Sequence, residues 1–164
     1  MANNIIKYKG NQIGKSIKEE NCDLMIKEIF ETLKSHSCKI IFPEDVLIGK
    51  NLNDKPQIKE LDNIKDDDII LDIGPKTLDK IKCIIENSET VLWNGPAGYF
   101  ENPNFANGSY NIAKAITKKN KDNSIYSVVG GGDTIALINK IKLIENFNFV
   151  STAGGAFLEY LEGK

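Results

Sequence analysis

Arginine is absent from this 164-residue chain: all 21 of its strongly basic side chains are lysine. The planar, bidentate fork that suits phosphate and carboxylate is therefore missing. Any phosphate ligand has to be held by backbone amides, by a cation or by lysine ammonium groups. The net charge is −2, and no basic patch with interleaved aromatics occurs, so no nucleic acid partner is expected. No apolar run approaches the ~20 residues of a membrane helix. The polar Asn3, Asn4, Lys7 and Lys9 near the start are unlike a secretory signal. No membrane partner is expected, and the expected location is cytoplasmic. The three cysteines, Cys22, Cys38 and Cys83, have no metal-ligand spacing, and their odd number excludes a simple disulfide framework. They read as buried or inert thiols. The single histidine, His36, ends an amphipathic pattern where a cation suits the helix dipole, a surface role rather than a catalytic one. Internal repeats, low-complexity tracts and a convincing linker are also lacking.

What is present suits a globular domain of moderate size, with 41% hydrophobic and 27% charged residues. A short helix is expected from Met1 to Lys9, ended by Gly10. An amphipathic helix is expected from Cys22 to Ser35, with Met25, Ile26, Ile29, Phe30 and Leu33 on one face. Strands are expected at Lys39–Phe42 and Val46–Ile48, and an edge strand near Gln57–Glu60 within a polar stretch from Gly49 to Asp68. Further strands are expected at Ile69–Asp72, Thr90–Trp93, Ser124–Val129 and Asn148–Ser151. Helices follow at Lys76 to about Asn87, Phe105 to about Lys119, after Asp133 and after Gly154. This alternation predicts an α/β fold: a three-layer, Rossmann-like, mainly parallel sheet with helices on both faces. The run Asp66-Asp67-Asp68 reads as a solvated turn rather than a metal site.

The densest chemical signal is Val128-Val129-Gly130-Gly131-Gly132-Asp133-Thr134, a strand emptying into a glycine turn that opens a helix. Glycines allow a polyanion close to the backbone, and the first helix amides lack intrahelical partners at the positive end of the dipole. Asp133 either caps this helix or holds a divalent cation, and Thr134 adds a hydroxyl. Phe149-Val150-Ser151-Thr152 followed by Ala153-Gly154-Gly155-Ala156 repeats the design. With Asp72-Ile73-Gly74-Pro75 and Asn94-Gly95-Pro96, four loops directly follow strands, and ligands of parallel sheets bind beyond the carboxyl ends of strands. Trp93 reads as core. Asn94 reads either as a turn residue or as a phosphate contact, and Glu101 either as a solvated carboxylate or as a ligand acceptor.

Taken in order, these words resemble the C-terminal, nucleotide-binding part of phosphoglycerate kinase. The matching stretches are Met1-Ala2-Asn3, Ile13-Gly14-Lys15-Ser16, Leu71-Asp72-Ile73-Gly74-Pro75-Lys76-Thr77 and Leu92-Trp93-Asn94-Gly95-Pro96-Ala97-Gly98-Tyr99-Phe100-Glu101. Phe105-Ala106-Asn107-Gly108, the Gly130–Thr134 loop, and Ser151-Thr152-Ala153-Gly154-Gly155 running to Leu161-Glu162-Gly163-Lys164 complete the series. The resemblance implies a glycolytic transferase, a kinase that moves a phosphoryl group between 1,3-bisphosphoglycerate and ADP, giving 3-phosphoglycerate and ATP. It implies ATP or ADP and Mg2+ as cofactors. Asp133 would contact magnesium, while Thr134 and the amides of Gly130, Gly131 and Gly132 would serve the phosphates. Asn94 would lie near the phosphates, Glu101 would accept the ribose hydroxyls, and Leu71 and Tyr99 would flank the adenine. Gly154 and Gly155 would be the catalytic amide donors to the transferring group. Phosphoryl transfer needs positioning and charge neutralisation more than covalent work by the protein.

Departures from the family pattern shape the remaining expectations. Residues 1–164 resemble the nucleotide-binding domain alone, incomplete at its start, with the substrate domain absent. Ala153 stands where the family commonly has glycine, and Tyr99 where it usually has a smaller apolar residue. The isolated chain is therefore expected to bind adenine nucleotide, to engage 3-phosphoglycerate or 1,3-bisphosphoglycerate only when the missing domain is supplied, and to lack turnover alone. The family resemblance implies a monomer. The alternative reading is a non-catalytic adenine-nucleotide-binding module or one half of a split enzyme.

Overall fold

Connection length decides how the strands pair. The computed structural model describes residues 2–152 and 154–163, and the chain divides into two compact units, Met1–Thr77 and Leu78–Lys164. Met1, Ala153 and Lys164, with the expectations placed on them, lie outside the described residues.

The first unit holds α1 (Ala2–Tyr8), α2 (Asp23–Ser35), β1 (Asp45–Gly49), β2 (Gln57–Glu60) and β3 (Ile69–Ile73). Its sheet has the order β2-β1-β3, and both pairs are antiparallel. The expected parallel pairing does not extend to these strands. Residues 50–56 join β1 to β2, too short for the dozen or so residues that a crossover between adjacent parallel strands requires; residues 61–68 then carry the chain to the far side of β1, where β3 runs antiparallel to β1. The core of this sheet is Val46, Ile48 and Ile64, with Leu61 and Ile70 packed on it. Lys39–Phe42, expected as a strand, forms none. The Phe42 ring instead stacks on Phe30 at 6.0 Å, and Phe30 on Tyr8 at 5.9 Å, an aromatic stack in place of a ladder. His36 is the residue that closes α2, exposed, its Nδ1 2.9 Å from Thr32 O.

Three carboxylates in this unit are buried, Asp45, Asp68 and Asp72. Asp45, at the start of β1, accepts from Lys76 N (3.0 Å), Thr77 N (2.8 Å) and Thr77 Oγ1 (2.8 Å). It thereby satisfies the first amides of α3 (Pro75–Glu86). A methyl group on Gly74 would run into that carboxylate, which explains glycine there. Asp68 overturns the reading of Asp66–Asp68 as a solvated turn: its side chain is fully buried between Lys50 Nζ (2.7 Å) and Lys59 Nζ (2.6 Å). The cysteines are free; Cys38 and Cys83 are exposed and Cys22 is half-buried, so of the expected buried or inert thiols the buried reading does not hold.

The second unit takes the rest of α3 and adds β4 (Thr90–Asn94), α4 (Asn107–Lys121), β5 (Tyr126–Gly130), α5 (Gly132–Lys140), β6 (Phe149–Ser151) and α6 (Gly154–Leu161). Each strand connection here carries a helix, and the sheet β4-β5-β6 is parallel throughout. The α/β expectation holds in this form. Trp93 and Val129 face one side of the sheet and are buried, as are Ile112 and Ile116 of α4 and Leu137 and Ile138 of α5. The expected core role of Trp93 is thus met. Among the described residues no helix is long and apolar enough to cross a membrane.

Candidate nucleotide-phosphate site

Registration of the parallel strands lines up their carboxyl ends. Asn94 pairs with Gly130, and Gly130 with Ser151, so the loops after β4, β5 and β6 leave the sheet at one edge. The fourth stretch, Asp72–Pro75, lies in the first unit and spans the end of β3, Gly74 and the first residue of α3.

The turn after β5 is built by Gly131, whose φ of +87° suits glycine. A Cβ there would also collide with Asn94 Oδ1, so the Asn94 side chain lies across the glycine turn. Helix α5 starts at Gly132, and its first bond joins Ile135 N to Gly131 O at 3.0 Å. The amides of Gly132, Asp133 and Thr134 consequently have no acceptor inside the helix. They form a cluster of donors at the positive end of the dipole, a cradle for an anion.

Asp133 is not the cap of α5, because Gly131 occupies that position. Its carboxylate sits in the first turn, exposed, and makes no hydrogen bond among the described residues. Of the two readings open in the sequence, the capping one is excluded. Thr134 is fully buried, and its hydroxyl accepts from Gly95 N at 2.7 Å. That bond joins the β4 loop to the first turn of α5, a second task beside the phosphate role expected of it. The indole of Trp93 donates to Gly95 O at 2.8 Å, so Gly95, itself at φ +103°, is gripped from both sides. Neither clamp was expected from the sequence. The signal is a threonine directly after the glycine turn and Asp133, whose hydroxyl the sequence assigns to the phosphates alone.

The rest of the β4 loop is pinned by buried Ser109, which accepts from Ala97 N at 2.8 Å, and by Asn102, which accepts from Asn104 N at 2.9 Å. Tyr99 is half-buried and Glu101 exposed within this loop. Gly154 and Gly155 open α6 directly after the β6 edge. Leu71 is 6% exposed in β3 of the first unit. No group of three or more His, Cys, Asp or Glu side chains able to hold a metal occurs among the described residues. A cation here would rest on one carboxylate plus oxygens from a ligand and water, which suits Mg2+.

Neighbouring glycines give an internal test of this geometry. Gly131→Ala is expected to cost about 1–3 kcal/mol, the usual cost of a non-glycine residue in a sparsely populated backbone region. Gly132 has nothing within 4 Å of a built Cβ, so Gly132→Ala is expected to be neutral or to stabilise by up to about 1 kcal/mol. Urea midpoints of the two variants check this, and equal losses would overturn the assignment of strain to Gly131.

Comparison with known proteins agrees with this architecture. The phosphoglycerate kinase family model matches residues 1–164. The phosphoglycerate kinase of Wolbachia pipientis subsp. Culex pipiens (strain wPip) is 41% identical over 165 residues, covering 99% of this chain and 42% of that relative. That of Azorhizobium caulinodans is 39% identical over 166 residues, covering 100% of this chain and 42% of the relative. Among solved structures, phosphoglycerate kinase from Coxiella burnetii superposes with a TM-score of 0.93 at 36% identity, covering 99% of this chain and 42% of that one. The enzyme from Pyrococcus horikoshii OT3 gives 0.75 at 29% identity, covering 99% and 40%. The chain thus spans about 42% of the length of the curated relatives it matches. With the family model matched from end to end, this chain belongs to the phosphoglycerate kinase family.

Proposed function

We propose that these 164 residues supply the nucleotide side of a phosphoryl transfer between 1,3-bisphosphoglycerate and ADP, the glycolytic reaction that yields 3-phosphoglycerate and ATP. The observation that carries the reading is the cluster of unpartnered α5 amides beside Asn94 at the shared edge of β4, β5 and β6. In this reading the amides of Gly132, Asp133 and Thr134 receive the ADP phosphates, and Gly130 and Gly131 let them approach. Asn94 donates from its side-chain amide, and Asp133 holds Mg2+. Glu101 accepts from the ribose, Tyr99 lies against the adenine, and Gly154 and Gly155 donate amides to the transferring group. The metal neutralises charge on the phosphates when bound. The protein's own contribution is orientation and fixed donors.

The triose-phosphate side is proposed to come from outside these residues, as further sequence of the same polypeptide or as a separate chain. The span of about 42% of the relatives' length supports this. A monomeric, cytoplasmic protein is part of the same proposal.

Calorimetric titration with ADP tests the reading. Binding is expected to be weak and to tighten with Mg2+, since one exposed helix N-terminus contributes ~0.3–1 kcal/mol to an anion and up to ~2 when partly buried. Asp133→Asn is expected to remove most of the tightening by Mg2+, an effect of roughly ten- to a hundredfold for one charged contact of ~1.5–3 kcal/mol. Metal-free affinity should stay close to that of the parent chain. Unchanged metal dependence in Asp133→Asn would refute the metal role.

A further inference from the structure

Asparagine precedes glycine twice in this sequence, at Asn94-Gly95 and at Asn107-Gly108. In such a pair the backbone nitrogen after the asparagine can attack the side-chain carbonyl carbon and close a succinimide ring. Glycine has no Cβ to hinder that approach and rotates more freely than other residues. Closure takes the asparagine out of both the strand and the helical backbone wells. A folded chain therefore sets the rate by how firmly it holds the pair.

The two pairs are held differently. Asn107 opens α4, and its main-chain O and its Oδ1 accept from Asn111 Nδ2 at 2.9 and 2.8 Å. Asn94 ends β4 opposite Gly130 of β5, with its side chain against Gly131. It is exposed, so water reaches it. The nitrogen that would attack, Gly95 N, donates to Thr134 Oγ1 at 2.7 Å, and Thr134 is fully buried in α5. That bond fixes the plane of the Asn94–Gly95 peptide, and ring closure requires the plane to turn. The Trp93 indole, donating to Gly95 O at 2.8 Å, restrains the other side of Gly95.

We propose that Asn94 is a self-modifying site and that the Gly95–Thr134 hydrogen bond is the latch that sets its rate. When the latch opens, Gly95 N loses its proton to hydroxide and attacks Asn94 Cγ. The N–C bond forms, the Cγ–Nδ2 bond breaks, and Nδ2 leaves as ammonia after taking a proton from water, which restores the hydroxide. Water then opens the ring at either carbonyl, leaving aspartate or isoaspartate. Water is the one co-reactant, and nothing is oxidised or reduced. The product sets a carboxylate beside the first amides of α5, where the parent chain has a neutral amide. The modification does not depend on what the glycine turn binds.

The test is timed incubation of the 164-residue chain in warm, mildly alkaline buffer, with aspartate and isoaspartate at positions 94 and 107 read by peptide mass spectrometry. In the folded parent, Asn94 is expected to convert roughly tenfold or more slowly than in a free peptide of residues 91–101. Thr134→Val removes the acceptor of Gly95 N. It is expected to speed conversion of Asn94 about fivefold, the shift of an opening equilibrium on losing one hydrogen bond, while Asn107 keeps its rate. Thr134→Ser retains the hydroxyl and is expected to keep the parental rate. Asn94 converting as fast in the folded parent as in the peptide would overturn the proposal, and so would a Thr134→Val rate equal to the parent's. A rise shared equally by Asn107 would assign the effect to global unfolding and remove the latch.

Discussion

Purified as the 164-residue chain, the protein is expected to give no phosphoryl transfer to 3-phosphoglycerate above the buffer rate in a coupled assay. Holding two reactants in a productive geometry is worth ~7–11 kcal/mol of a barrier, or roughly five to eight powers of ten in rate. In the proposed reading the described residues anchor one reactant: the amides of α5, Asn94 and Asp133 would address a nucleotide. With no arginine anywhere in the sequence, a bidentate clamp for a second phosphorylated substrate is lacking. Adding the portion that the longer relatives possess, as a separate polypeptide, is expected to restore measurable turnover. Gly154→Val should then abolish it by blocking approach to the α6 amides. Robust turnover of the chain alone, surviving removal of any contaminating full-length enzyme, would refute this account of the site.

Replacing Asp68 is expected to be the most damaging single substitution in the first unit. The carboxylate is fully buried and accepts from Lys50 Nζ, Lys59 Nζ and, at 2.7 Å, Lys65 N. Burial alone would raise its pKa. The bonds from Lys50, Lys59 and the Lys65 amide outweigh burial and hold the carboxyl well below the usual carboxylate range. Removing one partner of a buried pair costs about 3–5 kcal/mol. The Lys50 side chain is 40% exposed and can be rehydrated, which favours the lower end, about 3 kcal/mol, for Asp68→Asn. The sign of the pH effect follows from the depressed value. Stabilisation by Asp68 is complete above its unfolded pKa of about 3.9 and declines as pH falls through the folded one. Urea unfolding followed by circular dichroism should therefore show a gap between parent and Asp68→Asn at pH 7 that narrows in acid. A gap below about 1 kcal/mol, the level of exposed pairs, would place Asp68 among ordinary surface ion pairs.

Local pattern was legible in the sequence because it depends on near neighbours. The glycine run before Asp133 demands a turn, and the apolar runs at Thr90–Trp93 and Ser124–Val129 form β4 and β5 with shifts of only one or two residues. The edge strand at Gln57–Glu60 and the closing position of His36 on α2 were equally readable. Membership of the family was legible too, since it rests on ordered words rather than on distances.

Other features required partners far apart in the chain. Lys39–Phe42 has the composition of a strand, yet Phe42 finds Phe30 rather than a ladder, and strand propensity yields to available packing. Antiparallel pairing of β1 with β2 follows from the short connection 50–56, whereas the passage of residues 61–68 that brings β3 to the other side of β1 is not written in the apolar runs. The burial of Asp68 depends on Lys50, 18 positions away, and a run of three aspartates gives no hint of which one is enclosed. The bond from Gly95 N to Thr134 Oγ1 spans 39 positions. Sequence by itself determined where most of the strands and glycine turns fall, to within a few residues, because backbone sterics and unpaired amides are local. Tertiary structure decided which carboxylate is buried, which loops meet and that Asp133 is left uncapping and exposed, because those outcomes depend on long-range register and on charges brought together only by folding.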